Sequence, residues 1–247
     1  MNRRHVLKML AGLAACPVCA PKGFAADWGY EGAHGPEHWG DLDAASKACA
    51  AGSQQSPIDI GATIRASLPR LAVAWKKGPD MIVNNGHTIQ INKAAGSTLT
   101  VGNDSYKLVQ YHFHRPSEHL IAGKSFPMEA HFVHEAPSGG YGVIGVMMKT
   151  GRPNPTFNRI VSTMPGAAGP AVKADPAIDP NGLLPRGRGY YGYEGSLTTP
   201  PCGEVVNWML LTDPVDVAAA DVAVFAKLYP MNARPVQRIN RRYVLRS

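Results

Sequence analysis

The sequence is poor in charge and lacks the runs that mark several classes of protein. Charged residues make up 17% of the 247 residues, below the quarter that is usual for a globular chain. After the N-terminal region, no apolar run is long enough to cross a membrane, so no transmembrane segment is predicted there. Internal repeats and long low-complexity segments are also lacking. No cluster of lysine and arginine interleaves with aromatic residues, and we therefore expect no nucleic-acid partner.

Apolar residues and turn formers are abundant instead. Apolar residues make up 45% of the chain, which is enough for a sizeable core, and glycine and proline together number 47. So many turn formers favour a β-rich fold over a helical bundle. The formal net charge is +7, but residues 1–25 contribute four basic side chains and no acidic one. The remaining chain is therefore only mildly basic, which again gives no reason to expect nucleic-acid binding.

Residues 1–25 have the pattern of an export signal. A basic start precedes the short apolar stretch Met9–Ala15, and small residues around Ala25 offer a cleavage site. The adjacent Arg3 and Arg4 favour a twin-arginine signal, with an ordinary Sec signal as the alternative. We predict export to the periplasm, with residues 26–247 as one catalytic domain.

The four cysteines fall into two pairs. Cys16 and Cys19 lie in or beside the predicted signal, and their CxxC spacing has no second CxxC to complete a zinc site. The residues before Cys16 also resemble a lipoprotein processing site, so a lipid anchor on Cys16 is an alternative to release. Cys49 and Cys202 remain in the body of the chain. Two cysteines in an exported protein indicate one disulfide.

From residue 72 onward, short alternating or apolar stretches predict a succession of strands. The predicted strands are Ala72–Trp75, Met81–Asn84, Thr88–Asn92, Thr98–Val101, Tyr106–His114, Met128–Glu135, Tyr141–Lys149 and Val205–Leu211. Helical character is limited to Asn154–Val161 and Pro214–Leu228, and Arg238–Arg246 alternates like a solvated strand face. We therefore predict a mainly β (α+β) single domain around a large, mostly antiparallel sheet.

Two histidines in one predicted strand carry the clearest chemical signal. His112 and His114 are two residues apart, so a strand directs both imidazoles to the same face. His131 lies in a second apolar run and could approach from a neighbouring antiparallel strand. Three neutral imidazoles with one position left open are typical of a catalytic zinc site. Zinc makes a water in that open position nucleophilic near neutral pH.

The surroundings strengthen this signal, since an isolated His-x-His pair is often only two solvent-facing side chains. Gln110 precedes His112 by two residues, and Glu129 precedes His131 by two. Each lies on the same strand face as its histidine and could accept the hydrogen of the second ring nitrogen, as metal-bound imidazoles require.

Two other histidines compete for the role of ligand. His134 has odd spacing from His131 and would lie on the opposite strand face, while His119 follows a proline and would leave the register of the first pair. We interpret both as structural residues.

Three further features are consistent with a catalytic zinc site, although each has a simpler interpretation. Glu118 could accept the proton of a hydroxyl that then accepts from the zinc-bound water, or it could form a plain core ion pair. The loop Ser196–Pro201 holds two adjacent threonines before two prolines, or it is an ordinary turn. His87 could exchange protons with solvent, or it is simply a turn residue.

At these positions the chain closely resembles the α-class carbonic anhydrases. The resemblance runs from Trp28 to about Tyr243 and rests on several motifs that occur in one chain order. The motifs are Trp28–Tyr30, Gly35–Trp39, Gln55–Ile58, Asn84–His87, Gln110–His119, Glu129–His134, Ser196–Pro201 and Asn232–Gln237.

The resemblance implies a fold, a cofactor and a role for each matching residue. It implies a central ten-stranded sheet, Zn²⁺ as cofactor, and the hydration of carbon dioxide to bicarbonate. It implies zinc ligation by His112, His114 and His131, with Gln110 and Glu129 as their acceptors, and a Thr198 hydroxyl that Glu118 holds. Thr199 is then a polar neighbour of the substrate, and His87 a proton shuttle near Tyr30, Asn85 and Gln90. An apolar wall for carbon dioxide is implied at Val133, Val143, Leu197, Val206 and Trp208, and a disulfide between Cys49 and Cys202.

The sequence is also compatible with two other functions and one assembly state. A carbonic-anhydrase-like fold can serve as a non-catalytic binding module, although such proteins typically lose a zinc histidine and this chain keeps all three. Esterase chemistry at the same zinc is possible as a side activity. A homodimer is also possible.

Overall fold

The computed structural model describes residues 27–247. The predicted signal at 1–25, with Cys16 and Cys19, lies outside the described residues. Among residues 27–247, no helix combines the length and apolar character needed to cross a bilayer.

Short strands dominate the described part of the chain. They are β1 (Asp59–Ile60), β2 (Ile64–Arg65), β3 (Leu71–Ala74), β4 (Met81–Asn84), β5 (Ile89–Asn92), β6 (Thr98–Val101), β7 (Asp104–His114), β8 (Leu120–Ile121), β9 (Met128–Glu135), β10 (Tyr141–Thr150), β11 (Val172–Lys173), β12 (Tyr190–Gly195), β13 (Val206–Leu211), β14 (Val215–Val217) and β15 (Leu245–Arg246). The helices are α1 (Ala48–Ala51), α2 (Pro155–Thr163) and α3 (Ala219–Ala226), with 3₁₀ helices at Gly32–His34, Pro36–Asp41, Ala45–Lys47 and Pro180–Leu183.

One large sheet contains most of these strands. Ten strands follow one another across it in the order β11-β4-β5-β7-β9-β10-β13-β12-β15-β2, and β3, β6 and β14 bring the total to 13. The pairs β10–β13, β10–β14 and β15–β2 are parallel, and the other pairs in this sheet are antiparallel. The structure thus confirms the predicted class, a single domain around a large, mostly antiparallel sheet with short helices at its periphery.

The central strands β9 and β10 are buried on both faces for most of their length, which explains the nearly continuous apolar character of β10, and β7 becomes buried or half-buried toward its histidine end. One face packs into the main core, where Tyr111, Phe113 and Phe132 have no exposed surface. The opposite face carries His112, His114 and His131. The histidines therefore project from the rigid centre of the sheet.

The predicted strand at Arg238–Arg246 is wrong for most of its length, because only Leu245–Arg246 pairs in the sheet. In this segment, hydrogen bonds from a side chain take the place of the backbone hydrogen bonds between strands. The Arg242 guanidinium donates to the backbone carbonyls of Gln55, Glu194 and Arg238 at 2.8–3.1 Å. These bonds fasten an irregular chain, which a pattern of alternating residues does not reveal.

The predicted helix at Pro214–Leu228 is shorter than expected. Val215–Val217 instead extends the sheet as β14, parallel to the end of β10, and the helix begins only at Ala219. The alternating Val-Asp-Val after a proline is a strand pattern, so the local sequence agrees with the structure.

Candidate metal centre

A bulge in β7 aligns the histidines of two strands. Leu108 lies opposite His134, but the next aligned pair is Gln110 with Val133, so Val109 is the extra residue. This one-residue shift places His112 directly opposite His131. Without it, His112 would face Ala130 and its imidazole would lie on the other side of the sheet from that of His131.

The three imidazoles converge as a result. Their ring centroids are 4.5–5.3 Å apart, and one nitrogen from each ring lies within 4.8 Å of the other two. His114 and His131 are buried, whereas His112 is half-buried at the floor of a cavity. Burial lowers the pKa of all three rings, that of His114 to about 4, so they are neutral at pH 7 as metal ligands must be.

One nitrogen of each ring is held by an acceptor. His112 Nδ1 lies 2.8 Å from Gln110 Oε1, and His131 Nε2 lies 2.8 Å from Glu129 Oε1. Both contacts join the pairs that the sequence predicts. The opposite nitrogens, His112 Nε2 and His131 Nδ1, are left to face a metal.

His114 has an acceptor that the sequence analysis missed. Its Nδ1 lies 2.8 Å from the backbone carbonyl oxygen of Asn232, 118 residues away. Any residue type supplies a backbone carbonyl, so no sequence pattern marks it. The motif Asn232–Gln237 was the available signal, although it gave no role for the residue.

The donor set fits zinc. His114 Nε2 and Glu118 Oε2 are buried atoms without a hydrogen-bond partner among the described residues. Burying a polar atom without a partner costs folding free energy, so such atoms call for an explanation, and a bound ion is one. Three neutral imidazole nitrogens with their opposite nitrogens fixed are what a catalytic zinc site with one open position uses. His112, His114 and His131 would hold the ion.

Glu118 lies beside two of the free nitrogens. Its Oε2 is 3.4 Å from His114 Nε2 and 3.8 Å from His131 Nδ1, and its Oε1 accepts the Arg234 backbone N–H at 2.9 Å. Burial raises the pKa of Glu118 to about 7, although His131, the Arg234 N–H and the Thr198 hydroxyl favour the charged form. A bound cation would favour the carboxylate further.

A cavity of about 330 Å³ opens above the histidines. His112, His131, Thr198 and Thr199 line it together with apolar side chains. Of the predicted wall, Val133, Val143, Leu197 and Trp208 line the cavity. Val206 is not among its lining residues and packs in the buried cluster that contains Val133, Val143 and Trp208.

The residues predicted to move protons lie apart from this cavity. Tyr30, Asn85 and His87 line a separate opening of about 670 Å³. The half-buried His87 ring stacks on Trp28, with ring centroids 3.7 Å apart. Gln90 lies opposite His112 in the β5–β7 pair, so it is next to the first histidine rather than in that opening.

The two competing histidines have other partners. His134 Nε2 accepts from the Trp75 indole at 3.1 Å, and its Nδ1 donates to the Gly142 carbonyl at 3.0 Å. Both nitrogens are thereby used inside the main core, away from the other three rings.

His119 supports the site without joining it. Its Nδ1 lies 2.7 Å from Glu129 Oε1 and its Nε2 lies 2.6 Å from the Tyr193 hydroxyl. Glu129 Oε2 accepts the backbone N–H groups of Glu118 and His119, both at 2.9 Å. The carboxylate that holds His131 is therefore fixed at both oxygens.

A disulfide joins Cys49 to Cys202, as predicted. It connects α1 to the loop that carries Thr198 and Thr199. Cys202 N–H donates to the Thr199 carbonyl at 2.9 Å, which ties the crosslink directly to that loop.

Comparison with known proteins identifies close relatives. The family model for eukaryotic-type carbonic anhydrases matches residues 34–247. A carbonic anhydrase from Neisseria gonorrhoeae is 42% identical over 238 residues, which cover 94% of each chain. The α-carbonic anhydrase from Thermovibrio ammonificans, solved with the inhibitor sulfanilamide, is 42% identical with a TM-score of 0.87 over 89% of this chain and 99% of that one.

The same fold also occurs in a protein with a different name. Dioscorin, solved in complex with ascorbate, is 29% identical with a TM-score of 0.83, over 89% of this chain and 97% of that one. The fold alone therefore does not decide between catalysis and binding, and the site residues must.

Proposed function

The chain belongs to the family of eukaryotic-type carbonic anhydrases, and on that premise we propose that it catalyses the reversible hydration of carbon dioxide to bicarbonate and a proton. The observation that carries the proposal is the convergence of three imidazoles whose outer nitrogens are fixed by Gln110, Asn232 and Glu129. A binding module of the same fold has no need for such a donor set.

In this proposal His112, His114 and His131 hold zinc. Bound there, zinc would act as a Lewis acid and would lower the pKa of a coordinated water to about 7, the value known for carbonic anhydrases themselves. The fixed outer nitrogens keep the rings in the tautomer and orientation that ligation requires.

The apolar side of the cavity serves to bind carbon dioxide. Val133, Val143, Leu197 and Trp208 present hydrocarbon surface next to the histidines, where an uncharged, weakly hydrogen-bonding molecule can displace water. The charged product finds no partner on this wall. Bicarbonate is therefore expected to leave as water returns.

Glu118 and Thr198 orient the attacking oxygen. With Glu118 ionised, its carboxylate accepts from the Thr198 hydroxyl, and the hydroxyl oxygen can then only accept from the nucleophile. The nucleophile's hydrogen is thereby directed away from the apolar wall, and its lone pair faces the substrate. A protonated Glu118 would lose this direction.

Removal of the metal tests the proposal. We expect the purified protein to hydrate carbon dioxide, to lose that activity after chelation and dialysis, and to regain it with one equivalent of zinc but not with magnesium, which prefers oxygen ligands. Stopped-flow measurement with a pH indicator gives the rate. Activity that persists in metal-free protein, or that zinc does not restore, would contradict the proposal.

His87 is proposed as the group that carries the proton to solvent. Burial against Trp28 lowers the pKa of His87, an effect that the negative charge of Asp27 opposes in part. The ring is therefore mostly neutral at pH 7 and able to accept a proton. Tyr30 lines the same opening as His87.

Replacing His87 by alanine should slow turnover in weak buffer by about 10-fold or more, with kcat/KM for carbon dioxide nearly unchanged. Added imidazole should restore the rate. Because only the neutral ring accepts a proton, the difference from wild type should be full at pH 7 and above and should shrink as the pH falls below the His87 pKa, which is under 6.5. Stopped-flow rates across this pH range measure the effect.

His34 provides the matched control for this variant. It is an exposed histidine that lines the same opening as His87. His34→Ala should keep the wild-type rate. A loss that imidazole restores in His34→Ala but not in His87→Ala would reassign the shuttle.

Export to the periplasm is proposed from the N-terminal pattern, with residues 26–247 as the mature catalytic domain. The disulfide between Cys49 and Cys202 supports an oxidising compartment. N-terminal sequencing of protein recovered from the periplasmic fraction tests it, and a blocked N-terminus at Cys16 would favour the lipid anchor. Esterase activity and a homodimer stay predictions.

A further inference from the structure

Asn232 is completely buried, and all of its polar groups have partners. The side-chain amide donates to two backbone carbonyls, that of His87 at 2.9 Å and that of Phe113 at 3.0 Å. The side-chain oxygen accepts the Arg115 N–H at 2.7 Å, and the Asn232 N–H donates to the Arg115 carbonyl at 2.8 Å. Its own carbonyl faces His114 Nδ1 at 2.8 Å. One side chain and its peptide unit thus account for five hydrogen bonds.

Two of these bonds involve residues with a role in the proposed reaction. The carbonyl bond sets the orientation of His114, a proposed zinc ligand. The amide bond holds the backbone of His87, the proposed proton carrier. The remaining three bonds join Asn232 to backbone groups of Phe113 and Arg115 at the end of β7. Asn232 therefore connects the turn before β5 to the strand that bears His114.

The turn around His87 is held from the other side as well. Asn85 Oδ1 accepts the N–H groups of His87 and Thr88, both at 2.9 Å, and Gly86 adopts the left-handed conformation with φ of 88°. The side-chain amide of Asn232 then fixes the backbone carbonyl of His87. Both peptide groups that flank the His87 Cα are therefore restrained, which sets the direction from which the imidazole leaves the backbone.

We propose that Asn232 is a positioning residue that holds the zinc ligand His114 and the backbone of the proton carrier His87 in one rigid frame. The inference rests on the proposed function and goes beyond it, since it assigns the spacing between the two groups to a single buried amide. Orientation errors of about 1 Å between reacting groups can cost roughly 100-fold in rate, so a residue that fixes both groups is expected to matter without touching the substrate.

The role of the Asn232 side chain can be tested without removing the backbone carbonyl that faces His114. Asn232→Ala removes the side-chain bonds but keeps the backbone carbonyl that faces His114. We expect the purified variant to bind zinc, to lose about 10-fold in kcat in weak buffer, and to show a much smaller change in kcat/KM for carbon dioxide. Imidazole should restore kcat. The variant keeps only the backbone bond from residue 232 to the Arg115 carbonyl, so the carbonyl that faces His114 is held less firmly. Zinc release to a chelator should therefore also become faster, by about 10-fold.

Asn154→Ala is the matched control. Asn154 also makes three side-chain bonds, accepting from Thr156 N and Phe157 N at 3.0 Å and donating to the Gly182 carbonyl at 2.9 Å, but it caps α2 away from the site. Its loss should leave kcat and zinc release unchanged. If Asn232→Ala does not fold, Asn232→Ser retains a small polar group and should show the same two effects more weakly.

The possible results distinguish a failure of the positioning role of Asn232 from a failure of the proposed shuttle role of His87. Equal losses in kcat and kcat/KM without recovery by imidazole would reduce Asn232 to a structural residue, and so would unchanged zinc release. If His87→Ala itself shows no loss that imidazole restores, the shuttle assignment fails instead. An Asn232→Ala variant that matches wild type while His87→Ala does not would overturn the positioning role alone.

Discussion

A chain with His114 replaced by alanine should fold, fail to retain zinc, and hydrate carbon dioxide no faster than the uncatalysed reaction. His114 supplies one of three imidazoles, and its Nε2 is a buried atom without a partner among residues 27–247. With two ligands left, we expect zinc affinity to fall by well over the roughly 100-fold that the loss of an outer partner costs. Zinc content after dialysis and stopped-flow rates measure both effects.

A graded series makes this prediction sharper. Gln110→Ala removes only the acceptor of His112 and should weaken zinc binding by about 10- to 100-fold while activity survives at saturating zinc. His134→Ala is the matched control, because His134 is a buried histidine of β9 whose two nitrogens bond to Trp75 and Gly142. It should lower the free energy of unfolding without changing zinc affinity. Zinc loss in His134→Ala comparable to that in His114→Ala would contradict the assigned ligand set.

The choice among the histidines depends on a feature that the sequence does not display. His112 and His114 share a face because a strand has a period of two, and this was predictable. Their alignment with His131 depends on the bulge at Val109, which changes the register by one residue. Nothing in the local sequence requires a bulge there, so spacing alone left the third ligand open. The family resemblance supplied it, and His131 as third ligand stays a prediction that the convergence of the three rings supports.

The strands were predictable where the pattern was local. The ends of β6 and β9 coincide with the predicted bounds, because turn-forming residues border both strands, glycines at 96 and 102 for β6 and prolines at 127 and 137 for β9. The segment around Arg242 was not, since its conformation depends on carbonyl groups that are distant in sequence. The same reason hid the roles of Asn232 and Arg234. Contacts that use backbone atoms leave no signature in the residue types of the partner.

The position of Glu118 illustrates how such distant contacts build the site. Its Oε1 accepts the N–H of Arg234, and the Arg234 guanidinium donates to the carbonyls of Ser56 and Cys49 at 2.8 and 2.9 Å. Cys49 is bonded in turn to Cys202 at the end of the threonine loop. Glu118 and Thr198 are therefore fixed to the same framework from two directions. Such a framework preorganises the pair before substrate arrives.

Replacing Thr198 by alanine should reduce kcat/KM for carbon dioxide by about 100-fold, the usual cost of losing one preorganised hydrogen-bonding group, with zinc content unchanged. The loss follows from the proposed chain in which Glu118 accepts from Thr198 and Thr198 accepts from the nucleophile. Thr198→Ser keeps the hydroxyl and should retain most of the activity. Stopped-flow hydration rates of zinc-loaded variants measure each effect.

A double-mutant cycle tests the pairing itself. If Glu118 acts through Thr198, then adding Glu118→Ala to Thr198→Ala should cost far less than Glu118→Ala costs alone, because the second change removes a partner that is already idle. The pH dependence gives a second reading of the same pair. The pKa of about 7 applies to Glu118 without a cation nearby, and zinc favours its charged form, so the orienting carboxylate should persist below pH 7 in the zinc-loaded protein. Additive losses in the cycle would mean that Glu118 supports the site by some route other than the threonine hydroxyl.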